Sequence, residues 1–186
     1  MPEQKLLVIL AHDPSRDLDW KQINGSLETL PLSHAVAYCT AGEGITESRV
    51  VGIFCTIDSQ IILPECSEIR LLLAPYLGED VDIRTYETIP PGIQISIPTS
   101  PEKHFMVLNS MKPNESAEQT FNAWYTEQHI PMLTAVPGWR SSCRFRLLSA
   151  SMNPPRYLAL HEWKNRNAFG TPEFKAATNT PWRTRV

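Results

Sequence analysis

A faint internal repeat constrains this chain more than any other feature, because a repeated unit fixes element order and domain count together. Pro2-Glu3 leads into an apolar run over residues 6–10, and Pro101-Glu102 into another over 105–108. Each run is followed by a proline, Pro14 and Pro113, so the offset is 99 residues at both ends (2 to 101, 14 to 113). Further along, Trp20 corresponds to Trp124, residues 49–54 to 156–161, and Ile83-Arg84-Thr85 to Trp182-Arg183-Thr184. The ordered series predicts two copies of one unit, residues 1–93 and 94–186.

Both copies predict the same element order. In the first, residues 5–11 are continuous β-formers, suited to a strand buried on both faces. Ser15 is a candidate cap for a helix to about Leu30, with Trp20, Ile23, Leu27 and Leu30 at helical spacing. Strands over 33–40 and 49–57 flank a turn at Gly42-Glu43-Gly44, Pro64 opens a second helix, and 81–86 is the last strand. In the second copy, residues 103–110 form a strand. Ser116 and Gln119 read as a capping box for a helix to about Leu133. Strands follow at 139–148 and 156–163, then a short helix from Pro172, then a final strand over 181–186. Each half is β-α-β-β-α-β, the ferredoxin-like order. Residues 89–100, with Pro90, Pro91 and Pro98, read as an extended linker. The predicted class is α+β: two tandem ferredoxin-like units that bury their open sheet faces on each other as a pseudo-dimeric α/β barrel.

Composition narrows the function. Seventeen basic and 20 acidic side chains give a net charge of −3, without the basic patch that nucleic acid requires. No apolar run approaches the roughly 20 residues that span a bilayer. The opening apolar run of about six residues is too short for a secretory leader, so a cytoplasmic protein is expected. Cys39, Cys55, Cys66 and Cys143 are scattered and read as reduced thiols. The chain has no G-x-G-x-x-G, G-x-x-x-x-G-K-[ST], G-x-S-x-G or H-E-x-x-H motif, so neither cofactor nor metal is expected.

The chemistry-bearing stretch is Phe121-Asn122-Ala123-Trp124-Tyr125-Thr126-Glu127-Gln128-His129-Ile130-Pro131-Met132-Leu133, followed by Val136-Pro137-Gly138-Trp139. Phe121, Trp124, Tyr125, Gln128, His129 and Met132 share one helical face. A purely structural helix would carry Leu or Ile where Gln128 and His129 stand. His129 suits acid–base work near neutral pH, and Tyr125 suits donation to an oxygen that gains charge. Pro131 predicts that the helix ends or bends just after His129, which would favour the imidazolium. The competing reading has His129 bonding a carbonyl as a helix stop. On the strand at 156–163, Tyr157, Ala159, His161 and Trp163 share a face. His161 either meets His129 across a cavity or pairs with an arginine or carboxylate. Arg140, Ser142, Arg144 and Arg146 line one strand face, as a carboxylate-binding surface or as a solvated, ion-paired one.

This stretch resembles the EthD-like branch of the dimeric α/β-barrel superfamily, whose helix F-x-x-[WY]-Y-x-x-x-H-x-P-x-L leads to V-P-G at the next strand. The strand Tyr157-Leu158-Ala159-Leu160-His161-Glu162-Trp163 is similar to that branch's third strand. The resemblance covers residues 103–186 best. It implies a small protein of natural-product metabolism, with a pocket between sheet and helices in the second half only. The expected function is cofactor-independent cyclisation, isomerisation or decarboxylation of a hydrophobic intermediate. Alternatives are a cofactor-free monooxygenase and a non-catalytic ligand-binding pathway protein. Expected catalytic residues are His129, Tyr125 and His161. Phe121, Trp124, Gln128, Met132, Tyr157 and Trp163 are expected to line the substrate. A homodimer is possible.

Overall fold

The computed structural model describes residues 4–12, 18–32, 34–41, 50–90 and 105–185. The expected turn at Gly42-Glu43-Gly44, Ser15 and most of the expected linker fall outside these residues. The chain divides into two compact units: Met1–Thr88 with Phe145–Pro154, and Ile89–Arg144 with Pro155–Val186.

The first unit runs β1 (Gln4–His12), α1 (Trp20–Leu27), β2 (His34–Ala41), β3 (Val50–Asp58), α2 (Cys66–Leu77) and β4 (Asp82–Thr88). Its antiparallel strands lie in the order β2-β3-β1-β4, the order and connectivity expected of β-α-β-β-α-β. β1 is apolar from Leu6 to Ala11 because both its faces are covered: Leu6, Leu7, Val8 and Ile9 are all buried. Leu7 and Ile9 pack with Ile53, Cys55 and Ile83 of the neighbouring strands and with Ile23, Leu27, Ile69 and Leu73 of the two helices. α1 starts where Asp19 Oδ1 accepts the N–H groups of Lys21 and Gln22. α2 stops at Gly78, whose φ of 95° is a conformation that disfavours other residues. Gly52 is required for another reason: a Cβ there would sit 2.9 Å from the Phe54 ring.

The second unit runs β5 (Phe105–Met111), a 3-10 turn (Glu115–Ala117), α3 (Glu118–Trp124), a π turn (Tyr125–His129), α4 (Ile130–Thr134), β6 (Trp139–Ala150), β7 (Tyr157–Trp163) and α5 (Pro172–Thr178). β5 pairs antiparallel with β7, in the order β6-β7-β5. β6 serves both units. Its later residues, from Phe145 to Ala150, pair with β4 in the first unit, where Arg146 also bonds Glu87 at 2.6 Å.

Three local expectations are corrected. Residues 181–185 do not form the expected final strand: Arg183–Arg185 is a 3-10 turn. Pro181 lacks the N–H a ladder needs, and the Thr180 hydroxyl accepts the Arg183 N–H and starts the turn. The alignment of Ile83-Arg84-Thr85 with Trp182-Arg183-Thr184 therefore joins a strand to a turn, and the second unit lacks the last strand of the first. Ser116 is not a capping-box residue; it lies inside the 3-10 turn, which makes no side-chain cap bond. Finally, of the two alternatives for Pro131, an end or a bend after His129, the helix does not take the end, and it reaches Thr134, close to the expected Leu133. It passes through Pro131 to Thr134 by widening into a π turn, in which the Ile130 N–H reaches the Tyr125 carbonyl five residues back. Among the described residues, no helix is long and apolar enough to cross a membrane.

Candidate functional site

α3, the π turn and β7 bring the expected residues of the second unit together. Phe121, Trp124 and Tyr125 from the helix pack on Tyr157 and Ala159 from β7 as one buried cluster. Trp163, at the other end of β7, belongs to a second cluster with Leu133 and Ala177, against which Met132 packs. His129 joins the two: its ring stacks on Trp124 at 4.5 Å between centroids, and its Nδ1 lies 3.0 Å from the Ala177 carbonyl. Tyr125 meets His129 edge-on at 5.1 Å, and His161 meets it edge-on at 6.0 Å. Gln128 is half-buried, and its Oε1 is enclosed without a hydrogen-bond partner.

A carbonyl partner assigns the His129 tautomer. A carbonyl only accepts, so His129 Nδ1 carries the proton and donates to Ala177, leaving Nε2 with a free lone pair. Ser142 Oγ accepts the Trp139 Nε1–H at 2.9 Å and lies 2.7 Å from His161 Nδ1. The Ser142 hydroxyl keeps a second lone pair, so it can donate to that nitrogen or accept from it. His161 Nε2 is buried and has no hydrogen-bond partner.

Electrostatics keep both rings neutral. Burial lowers the His129 pKa to about 4, aided by the charges of Arg183 and Arg144 and opposed by the Ala177 bond. Burial lowers His161 to about 3, with a further contribution from His129. The sequence pointed to an imidazolium favoured by a helix end; the helix continues and desolvation dominates. Burial pushes the Tyr125 phenol well up, and its hydroxyl, 3.1 Å from Met111 Sδ, stays a donor at neutral pH.

No family model and no curated protein matches this sequence. Solved structures do match the fold. A candidate monooxygenase of Fusobacterium nucleatum aligns with a TM-score of 0.57 at 8% identity, over 95% of this chain and 85% of that one. A candidate monooxygenase of Lactobacillus acidophilus gives 0.55 at 10%, over 96% and 86%. An anthrone oxidase-like protein gives 0.51 at 16%, over 96% and 84%. The chain shares their fold. At such identities the likeness concerns fold alone.

Several neighbours of the site were not singled out from the sequence. Asn122 donates to the Tyr157 hydroxyl at 3.3 Å and accepts from Arg144 at 2.5 Å. Glu118 accepts from Arg156 at 2.9 Å and from the Tyr157 hydroxyl. Ala177 contributes only its carbonyl, which no side-chain pattern reveals. A surface hollow of about 520 Å³ lies elsewhere, in the first unit beside Glu65, Arg70, Ala74 and Ser151, and none of the expected site residues lines it. Among the described residues, no three His, Cys, Asp or Glu side chains gather as metal ligands would.

Proposed function

We propose that this chain is a cofactor-independent enzyme that removes a proton from a hydrophobic small molecule and holds the enolate-type anion that results. The observation that carries this reading is the pair of buried histidines, one with a free Nε2 lone pair and the other with an Nε2 that has no partner, beside a phenol that stays protonated. His129 Nε2 takes the proton. His161, with the Ser142 hydroxyl donating to its Nδ1 and the proton on Nε2, and the Tyr125 hydroxyl, turned from Met111 Sδ, donate to the oxygen that gains charge. A buried imidazole is a weak base in the empty site, yet the anion forming beside it supplies the counter-charge that an imidazolium lacks there. Phe121, Trp124, Tyr157, Met132 and Trp163 give the apolar surroundings, and Gln128 an additional polar contact.

Dioxygen is the favoured second reactant, since the neighbours in fold include candidate monooxygenases and an anthrone oxidase-like protein. A carbanion passes an electron to dioxygen without a cofactor. At a CH2 group, one oxygen atom is retained as a carbonyl and the other leaves as water. Cyclisation or isomerisation in natural-product biosynthesis uses the same proton step without oxygen uptake. Anthrone is a suitable probe, because its CH2 is acidified by the ring carbonyl. Under nitrogen in D2O, the protein should speed deuterium exchange at that CH2, and His129→Gln should abolish the effect. Under air, oxygen uptake with anthrone assigns the oxygenase reading. Exchange no faster than in buffer, or exchange unchanged in a folded His129→Gln variant, refutes the proton step.

A further inference from the structure

The three arginines that share one face of β6 have different surroundings. Arg140 lies 3.8 Å from Glu162, and Arg146 bonds Glu87. Arg144 is 5% exposed and has no carboxylate at ion-pair distance among the described residues. Its guanidinium is held between the faces of Tyr125, Phe121 and Tyr157, at 4.4, 5.4 and 6.0 Å from the ring centroids. Its hydrogen bonds go to one residue, Asn122, through the side-chain oxygen at 2.5 Å and the backbone carbonyl at 3.4 Å. The acid in the same network, Glu118, is engaged by Arg156 and by the Tyr157 hydroxyl.

A buried cation without a counter-ion costs several kcal/mol unless something compensates it. Aromatic faces offset part of this cost, and Asn122 fixes the plane of the fork. The two bonds to Asn122 leave the remaining guanidinium N–H donors without an acceptor among the described residues. We propose that Arg144 is the binding group for a carboxylate on the substrate, so that the natural ligand is a hydrophobic acid. The guanidinium fork matches a carboxylate in a bidentate manner, and the aromatic cage orients it on the wall that carries Tyr125. This inference rests on the proposed function for the location of the ligand and goes beyond it in naming the ligand's charge.

Two probes of the same shape test it by calorimetry at neutral pH: naphthoate, and neutral naphthalenemethanol. The wild type should bind naphthoate about tenfold or more tighter than the alcohol, as expected for a hydrogen-bonded charge. Arg144→Gln should erase that preference while alcohol binding changes little, and Arg144→Lys should retain part of it. Equal binding of the two probes by the wild type overturns the anion site and leaves the proton step standing. A preference that survives in folded Arg144→Gln overturns it as well. Binding of neither probe overturns the anion site together with the ligand location it rests on. Conversely, loss of the His129 effect on anthrone exchange with the naphthoate preference intact overturns the proton step alone.

Discussion

His129 and His161, 6% and 2% exposed, illustrate what a single side chain can reveal and what it cannot. Spacing in the sequence places Tyr125 and His129 on one wall, and the alternation of β7 aims His161 the same way. The tautomers were not legible, because they depend on the Ala177 carbonyl and the Ser142 hydroxyl, which approach from other elements. Two predictions belong at this scale. Both rings have folded-state pKa values, about 4 and about 3, below the unfolded value near 6.5. The unfolded chain thus binds protons first as pH falls, and stability present above 6.5 is lost on descending toward 4. At ~1.4 kcal/mol per pKa unit, each ring contributes on the order of 3 kcal/mol to that loss. Urea midpoints measured from pH 7 to 4.5 should fall steeply, and less steeply in His161→Gln. The second concerns Ser142→Ala. It removes the donor that keeps the proton on His161 Nε2, so kcat for anthrone turnover should fall about tenfold with KM little changed, and Ser142→Thr should restore it.

Among elements, the π turn is the one that sequence pattern alone misdescribes. Pro131 signals an interruption, but the pattern does not say whether the helix stops or absorbs it. It absorbs it because Pro131 offers no N–H to the Glu127 carbonyl, and the Ile130 N–H reaches back to Tyr125 instead. Tyr125 and His129 are the first and last residues of that turn. Pro131→Ala returns the missing donor and should shift the segment toward a regular α-helix, turning both rings. Thermal stability is then expected to hold or rise by up to a few degrees, while anthrone turnover drops at least several-fold; full activity in a stabilised variant would show that the turn is incidental. The missing last strand has a similar lesson. Residues 181–186 resemble the earlier strand in sequence, yet a single hydroxyl, Thr180, and a proline decide for a turn. Local capping overrides an alignment built on a few residues.

At the level of the whole chain, the sequence revealed most of the first unit, whose β-α-β-β-α-β order follows from hydrophobic period and turn residues. It revealed the second unit up to α5. It did not reveal that β6 is long enough to belong to both units, because periodicity gives a strand's faces and not its partners. Cutting the chain between residues 93 and 94 therefore deprives residues 145–150 of the β4 edge they pair with. The separated second half should be poorly folded by circular dichroism and amide exchange, and mixing it with the first half should recover structure. A second half that is fully folded alone would contradict this dependence.

The shared strand also couples two residue numberings that are otherwise independent. Ser142 and Arg144 owe their face to the alternation at one end of β6, and the partners of Tyr86 and Glu87 owe theirs to the alternation at the other. Losing or gaining one residue near position 144 would invert one end against the other. A one-residue insertion in the middle of β6 therefore disturbs the site, whose reading frame is set there.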